Sequence, residues 1–308
     1  FEFLKMPFGL RNASQTFQRF MNEIFHDLPF IFIYVDDLLI ASKSHSEHLR
    51  HLHIVFTRLA EHGILINTVK SEFGKSEVQY LGHRVTSTGI SPLQSKVEAV
   101  KNFPLPQSQT QLRRFLGVVN FYHRFLMNCA QTLAPINALL RPKRRGSPTN
   151  IEWNPEALAA FEKIKTDLAN ATELQHPVEG AQLMLLVDAS DVAVGAVLQQ
   201  QHSNGQSTPL SFFSKKISKT ESRYSVFGKE LLAMYLSVKH FRYIIEGKEC
   251  IVFTDHRPLT AAIHTASDKH SPRESRHLSY IAQFTTDIRY IPGNKNCIAS
   301  KTLILICS

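Results

Sequence analysis

The stretch Phe30–Ser42, FIFIYVDDLLIAS, limits what this chain can fold into more than any other. Its β-branched and aromatic residues read as buried strand, yet Asp36 and Asp37 stand side by side in the middle. A carboxylate buried without a partner is costly or is forced to protonate. The pair must therefore lie at a turn, at a metal, or both. The pattern predicts a hairpin, FIFIYV then LLIAS, with Asp36-Asp37 at its tip. As a plain polar turn the pair is poorly chosen, because primed turns favour Asn-Gly or Asp-Gly. A divalent cation suits it better, since the cation's charge removes the cost of bringing two acids together.

The neighbouring segments are regular. RNASQTFQRFMNEIF carries apolar residues at helical spacing, with Asn12 or Ser14 placed to cap it, and SHSEHLRHLHIVFTRLAEHG is a second amphipathic helix ending at Gly63. VQYLGHRVTSTGI reads as a hairpin turning near Thr88-Gly89. SPLQSKVEAVKNF and SQTQLRRFLGVVNFYHRFL read as helices, and so does NPEALAAFEKIKTDLAN, capped by Asn154 with Pro155 in its first turn. Arg141–Asn150, RPKRRGSPTN, is basic and aperiodic. It reads as a linker, with a contact to a polyanion as the alternative. Beyond residue 180 the order changes: three strands in antiparallel sequence, a long helix RYSVFGKELLAMYLSVKHFRYII, a strand ECIVFTDH, more helix, and a last strand FTTDIRYIPG. The fold class is α/β in the mixed, α+β sense.

Asp188 ends one of these strands, Glu230 lies in the long helix, and Asp255 ends another strand. Any one of them alone is an ordinary cap, ion-pair partner or turn acid. Two acids at strand tips and one on the helix that faces them form a site for divalent metal. With 308 residues there is room for about two domains, and 43% hydrophobic with 20% charged residues describes a folded, soluble protein. The excess of 35 basic over 26 acidic residues favours a polyanionic partner without specifying one. Four scattered cysteines form neither a zinc pattern nor a disulfide framework, which points to a reducing, intracellular location in cytoplasm or nucleus. No secretion leader and no run of about 18 apolar residues occurs, so no membrane span is expected. The sequence opens on Phe1, which suggests a piece of something longer.

YVDD resembles the metal-binding box of reverse transcriptases, and MPFGLRNASQTFQRFMNEIF resembles the template- and nucleotide-contacting segment of the Ty3/gypsy class of retrotransposon polymerases. ILINTVKSEF, VQYLGHRVTSTGI, LRRFLGVVNFYHRF and WNPEALAAFEKIK follow in the order of that family, and LVDAS…FGKELLA…FTDHRPL resembles its ribonuclease H domain. The resemblance implies a partial reverse-transcriptase palm over 1–90, a helical thumb over 91–145, a linker and connection helix over 146–180, and a ribonuclease H-like mixed-sheet domain over 181–308.

It further implies catalytic, metal-holding carboxylates at Asp36 and Asp37 and at Asp188, Glu230 and Asp255. Gly9, Asn12 and Gln18 would face nucleotide and template, Lys70 would protonate leaving pyrophosphate or simply be a solvated lysine, and His256 would lie near the scissile phosphate. The cofactor expected is Mg²⁺, with Mn²⁺ as a substitute, and the partners are an RNA template with a DNA primer and an RNA–DNA hybrid. The chain departs from the family twice. Its first polymerase Asp belongs to a strand upstream of Phe1, and its fourth ribonuclease H acid is replaced by Ser300 in the atypical tail SKTLILICS. The expectation is impaired chemistry, with a non-catalytic nucleic-acid-binding remnant as the alternative.

Overall fold

A computed structural model describes residue 6 and residues 9–140, 150–264, 269–293 and 296. The chain divides into two compact units, Phe1–Ser87 and Thr88–Ser308.

In the first unit, helix α1 (Ala13–Phe25) precedes the hairpin β1 (Ile31–Tyr34) and β2 (Asp37–Ile40), helix α2 (His45–Glu61), and the hairpin β3 (Glu77–Tyr80) and β4 (His83–Thr86). The helical spacing of Met21, Ile24 and Phe25 brings them against Ile31 of β1 and Val55 and Leu59 of α2, and these six form the core. Ser44 caps α2, its hydroxyl accepting from the Glu47 backbone N–H. Asn12 precedes α1, but its side chain caps nothing. The β3–β4 hairpin turns at Leu81-Gly82: Tyr80 pairs with His83, and both turn residues have positive φ (47° and 76°), as a type I′ turn requires.

The second unit begins with β5 (Gly89–Pro92), which pairs antiparallel with β6 (Leu174–Gln175). Gly89 serves this pairing: a Cβ there would meet the Leu174 carbonyl oxygen at 2.3 Å. Helices α3 (Gln94–Lys101), α4 (Gln109–Phe121), α5 (Cys129–Thr132), α6 (Ala134–Ala138) and α7 (Pro155–Ala169) follow β5, with a 3₁₀ turn at His123–Phe125. Ser108 and Gln111 close a capping box on α4, and Asn154 caps α7 with Pro155 in its first turn. Leu93 precedes α3 without a side-chain cap. Strands β7 (Gln182–Ala189), β8 (Ala193–Gln201) and β9 (Ser207–Lys216) form the antiparallel run. After helix α8 (Val226–Ile245), strand β10 (Cys250–Thr254) joins β7 in parallel, and β11 (Ile288–Tyr290) joins β10. Helices α9 (Arg257–Ala262) and α10 (Pro272–Ile281) connect them, giving the sheet order β11-β10-β7-β8-β9.

Both faces of this sheet are covered. Leu183, Leu185 and Val187 of β7 pack with Leu231, Met234 and Val238 of α8, while the intervening Met184 and Leu186 pack with Phe115 of α4 and Phe161 and Ile164 of α7. Alternation along a strand sends successive side chains to opposite faces, which is why LMLLV is apolar throughout. No helix among the described residues is long and apolar enough to cross a membrane. Leu186→Ala should leave a cavity that neither layer can close. The expected loss is about 2–5 kcal/mol of unfolding free energy, read from the urea midpoint.

Candidate active site

The hairpin of the first unit turns one residue earlier than the sequence suggests. Tyr34 pairs with Asp37, so the two-residue turn is Val35-Asp36, and Asp37 is the first residue of β2. Val35 takes φ 51°, and Asp36 is not among the residues of positive φ. Positive φ at the first turn residue alone belongs to a type II′ turn, a place for glycine, and a β-branched side chain there is strained. Gln18 of α1 holds it in place: its Oε1 accepts the Val35 N–H at 2.6 Å and its Nε2 donates to the Ile33 carbonyl at 3.2 Å. Tyr80 donates its hydroxyl to the Phe32 carbonyl at 3.3 Å, a brace that the sequence did not signal.

Both acids are exposed, so water solvates them and the burial problem posed by the sequence does not arise. They line a cavity of about 740 Å³ together with Lys70, Glu72 and Tyr80. Gly9 and Asn12 are exposed before and at the start of α1, while the Gln18 amide is occupied by the hairpin backbone.

In the second cluster Glu230 is buried and Asp188 and Asp255 are half-buried. Strand β7 presents Asp188 near its end, β10 runs into Asp255, and α8 brings Glu230 to them. One carboxylate oxygen from each lies within 4.8 Å of the others, the sole such group of metal-holding side chains among the described residues. Glu230 is 6% exposed, and its Oε2 has no hydrogen-bond partner. Burial, then the charges of Asp188 and Asp255, push its carboxyl up to about 8, against an ordinary value of 4.5. Asp188 is raised by burial and by Asp255. A backbone hydrogen bond from Ala189 eases both.

Two residues of PGNKNCIA support the cluster, though nothing in the sequence marked them individually. Asn296 donates to the Val187 carbonyl at 3.0 Å, and Gly293 passes so near that a Cβ would stand 3.3 Å from Asp255 Oδ2. His256 meets Phe227 edge-on at 6.0 Å between ring centroids, with a buried Nδ1 that lacks a partner. Ser300 and Arg141–Thr149 of the basic segment lie outside the described residues.

Three crowded carboxylates, one with an orphaned oxygen, fit a hard divalent cation, whose ligands are oxygens. Residues 1–85 match the family of reverse transcriptases (RNA-dependent DNA polymerases), and residues 153–252 match the RNase H-like domain found in reverse transcriptase. Over 303 residues, 97% of this chain, it is 36% identical to the transposon Tf2-3 and Tf2-7 polyproteins of Schizosaccharomyces pombe. The chain belongs to the reverse transcriptase family of retrotransposon polyproteins.

It spans 22% of the length of those curated relatives. Among solved structures, the foamy viral protease-reverse transcriptase in complex with RNA/DNA hybrid has the same fold, with a TM-score of 0.75 at 24% identity, covering 94% of this chain and 39% of that one. The foamy viral protease-reverse transcriptase dRH in complex with ds DNA gives 0.76 at 22% identity, covering 94% and 50%. The Ty3/gypsy resemblance and the fold class expected from the sequence both stand. Reverse transcriptases and their ribonuclease H domains depend on divalent metal, and Asp188, Glu230 and Asp255 are the residues grouped to hold one.

A consequence for stability follows from Glu230. Its folded carboxyl titrates at about 8 and its unfolded one near 4.5, so the metal-free folded state keeps a proton that the unfolded chain releases between those values. Stability therefore falls as pH rises through this window. In EDTA, the melting temperature of the parent should drop relative to that of Glu230→Gln between about pH 5 and 8, by about 3 °C or more at the upper end. Parallel curves for the two proteins would remove the electrostatic strain assigned to this carboxyl.

Proposed function

We propose that this chain carries a metal-dependent ribonuclease H site acting on the RNA strand of an RNA–DNA hybrid, beside part of an RNA-directed DNA polymerase centre. One observation carries the reading: Asp188, Glu230 and Asp255 converge within 4.8 Å at the C-terminal ends of the inner strands β7 and β10, in a chain that matches the RNase H-like domain found in reverse transcriptase. Mg²⁺ is the natural occupant, and two such ions, when bound, would supply charge to activate water and to stabilise the leaving 3′-oxygen. The residues themselves set the rest. Asp188 and Asp255 are held by paired strands, Glu230 by a buried helix, and His256, next to Asp255 in sequence, would meet a phosphate of the bound strand. The structures of foamy viral relatives with hybrid and duplex DNA support a nucleic-acid partner of this kind.

Ser300, where the resemblance puts a fourth acid, favours slow cleavage and keeps the non-catalytic remnant as the rival. Release of labelled RNA from a hybrid in Mg²⁺ and Mn²⁺ separates them. The parent should cut slowly, Ser300→Asp faster, and Asp188→Asn at least about a hundredfold more slowly than Ser300→Asp. Equal cutting by the Asp188→Asn protein would mean that this cluster is not the source of activity, and no cutting by any of the three would favour the remnant.

For the polymerase part, among the described residues no third metal-holding side chain groups with Asp36 and Asp37. Two exposed acids hold a pair of cations poorly. Residues 1–308 alone are therefore expected not to extend a primer on an RNA template above the level of an Asp36→Asn, Asp37→Asn control. Extension well above that control would show the centre to be complete.

A further inference from the structure

One cationic cluster in the second unit plays no part in the carboxylate chemistry. His123 and Arg124 lie in the 3₁₀ turn that follows α4, and His240 projects from α8. The two imidazoles stand nearly perpendicular with centroids 6.4 Å apart. His240 stacks on Phe213 of β9 at 4.5 Å, and the Arg124 guanidinium carbon sits 5.5 Å from the Phe125 ring centre. All three side chains are half-buried.

Among the described residues no acid pairs with them. Arg124 Nε is buried with no hydrogen-bond partner. The charged groups that shift His240 are His123 and Arg124, and the one that shifts His123 is Arg124. Burial and these cations lower both histidines, while a backbone hydrogen bond with Asn120 partly offsets this at His123. The half-buried Arg124 guanidinium is the fixed charge here, and such a charge is normally paired, since an uncompensated one is costly. Aromatic faces hold two of these groups in position, as a built site requires.

We propose that His123, Arg124 and His240 form a phosphodiester-binding site at the β9 edge of the sheet, taking one backbone phosphate of a bound nucleic acid. The proposal rests on the nucleic-acid reading above and adds to it a contact outside the carboxylate cluster. Arg124 supplies the fixed charge and the geometry for two phosphate oxygens. The histidines donate hydrogen bonds from either side. Such a contact positions the strand and reads no base.

The test uses the full chain and a fluorescently labelled RNA–DNA hybrid in EDTA, with anisotropy measured from about 50 to 200 mM salt. Arg124→Gln should weaken binding about five- to tenfold at the lower salt and make the slope of log K against log[salt] shallower by about one. Arg124→Lys, which keeps the charge, should keep the slope. The double variant His123→Gln, His240→Gln should also bind more weakly, and it decides the matter if Arg124→Gln fails to fold. Parent-like affinity and slope in both neutral variants would overturn the site. A weaker Arg124→Gln with an unchanged slope would overturn it too, assigning Arg124 to packing. If the parent binds no hybrid at any salt, the nucleic-acid reading itself fails, and this site with it.

Discussion

The burial of β7 on both faces is the constraint from which the rest of the second unit follows. A strand that pairs antiparallel with β8 and parallel with β10 has no free edge, and helices cover it above and below. Register is then strongly specified, because a slip of one residue would exchange the side chains of the two cores. That same register sets Asp188 beside the start of the β10–α9 connection, where Asp255 stands. Helix α8 cannot slide along the sheet without unpacking Leu231, Met234 and Val238, so Glu230 is fixed with them. The apolar core thus determines the geometry of the charged site.

The cost of that geometry falls on the carboxylates. Burial and mutual repulsion raise Asp188 and Glu230, and neither effect serves the fold. A protein under selection for stability alone would replace at least one of the three by an amide. Retaining all three makes sense where a cation offsets the repulsion, and the buried, unpartnered Glu230 Oε2 is the atom that most needs it.

Much of this was legible in the sequence because acids that interrupt apolar runs are conspicuous. Asp188, Glu230 and Asp255 each break such a run, and the strand order around them followed from periodicity. The two turns were read less well. The hairpin of the two acids turns at Val35-Asp36 because the Gln18 amide holds Val35 there, and the chain also reverses at Leu81-Gly82, where leucine in the first turn position gives no turn signal. The covering of the sheet's second face by α4 and α7 was not legible either. Phe115 and Phe161 announce a buried face on each helix without naming what it packs against. Asn296 and Tyr80 act through backbone carbonyls distant in sequence, at Val187 and Phe32, and local pattern carries no trace of such partners.

The hairpin of Asp36 and Asp37 solves the opposite problem. Its acids are solvated and cost little, and the strain lies in the backbone at Val35. A β-branched residue at positive φ costs about 1–3 kcal/mol. The two hydrogen bonds from Gln18, each worth about 0.5–1.5 kcal/mol net, are of the right size to offset it. Gln18 and Val35 therefore act as one device. Without the amide the turn would relax, and Asp36 would lose its fixed direction into the cavity. Gln18 thus shapes the site from behind, through the direction of a carboxylate, while its own polar atoms stay engaged with the hairpin.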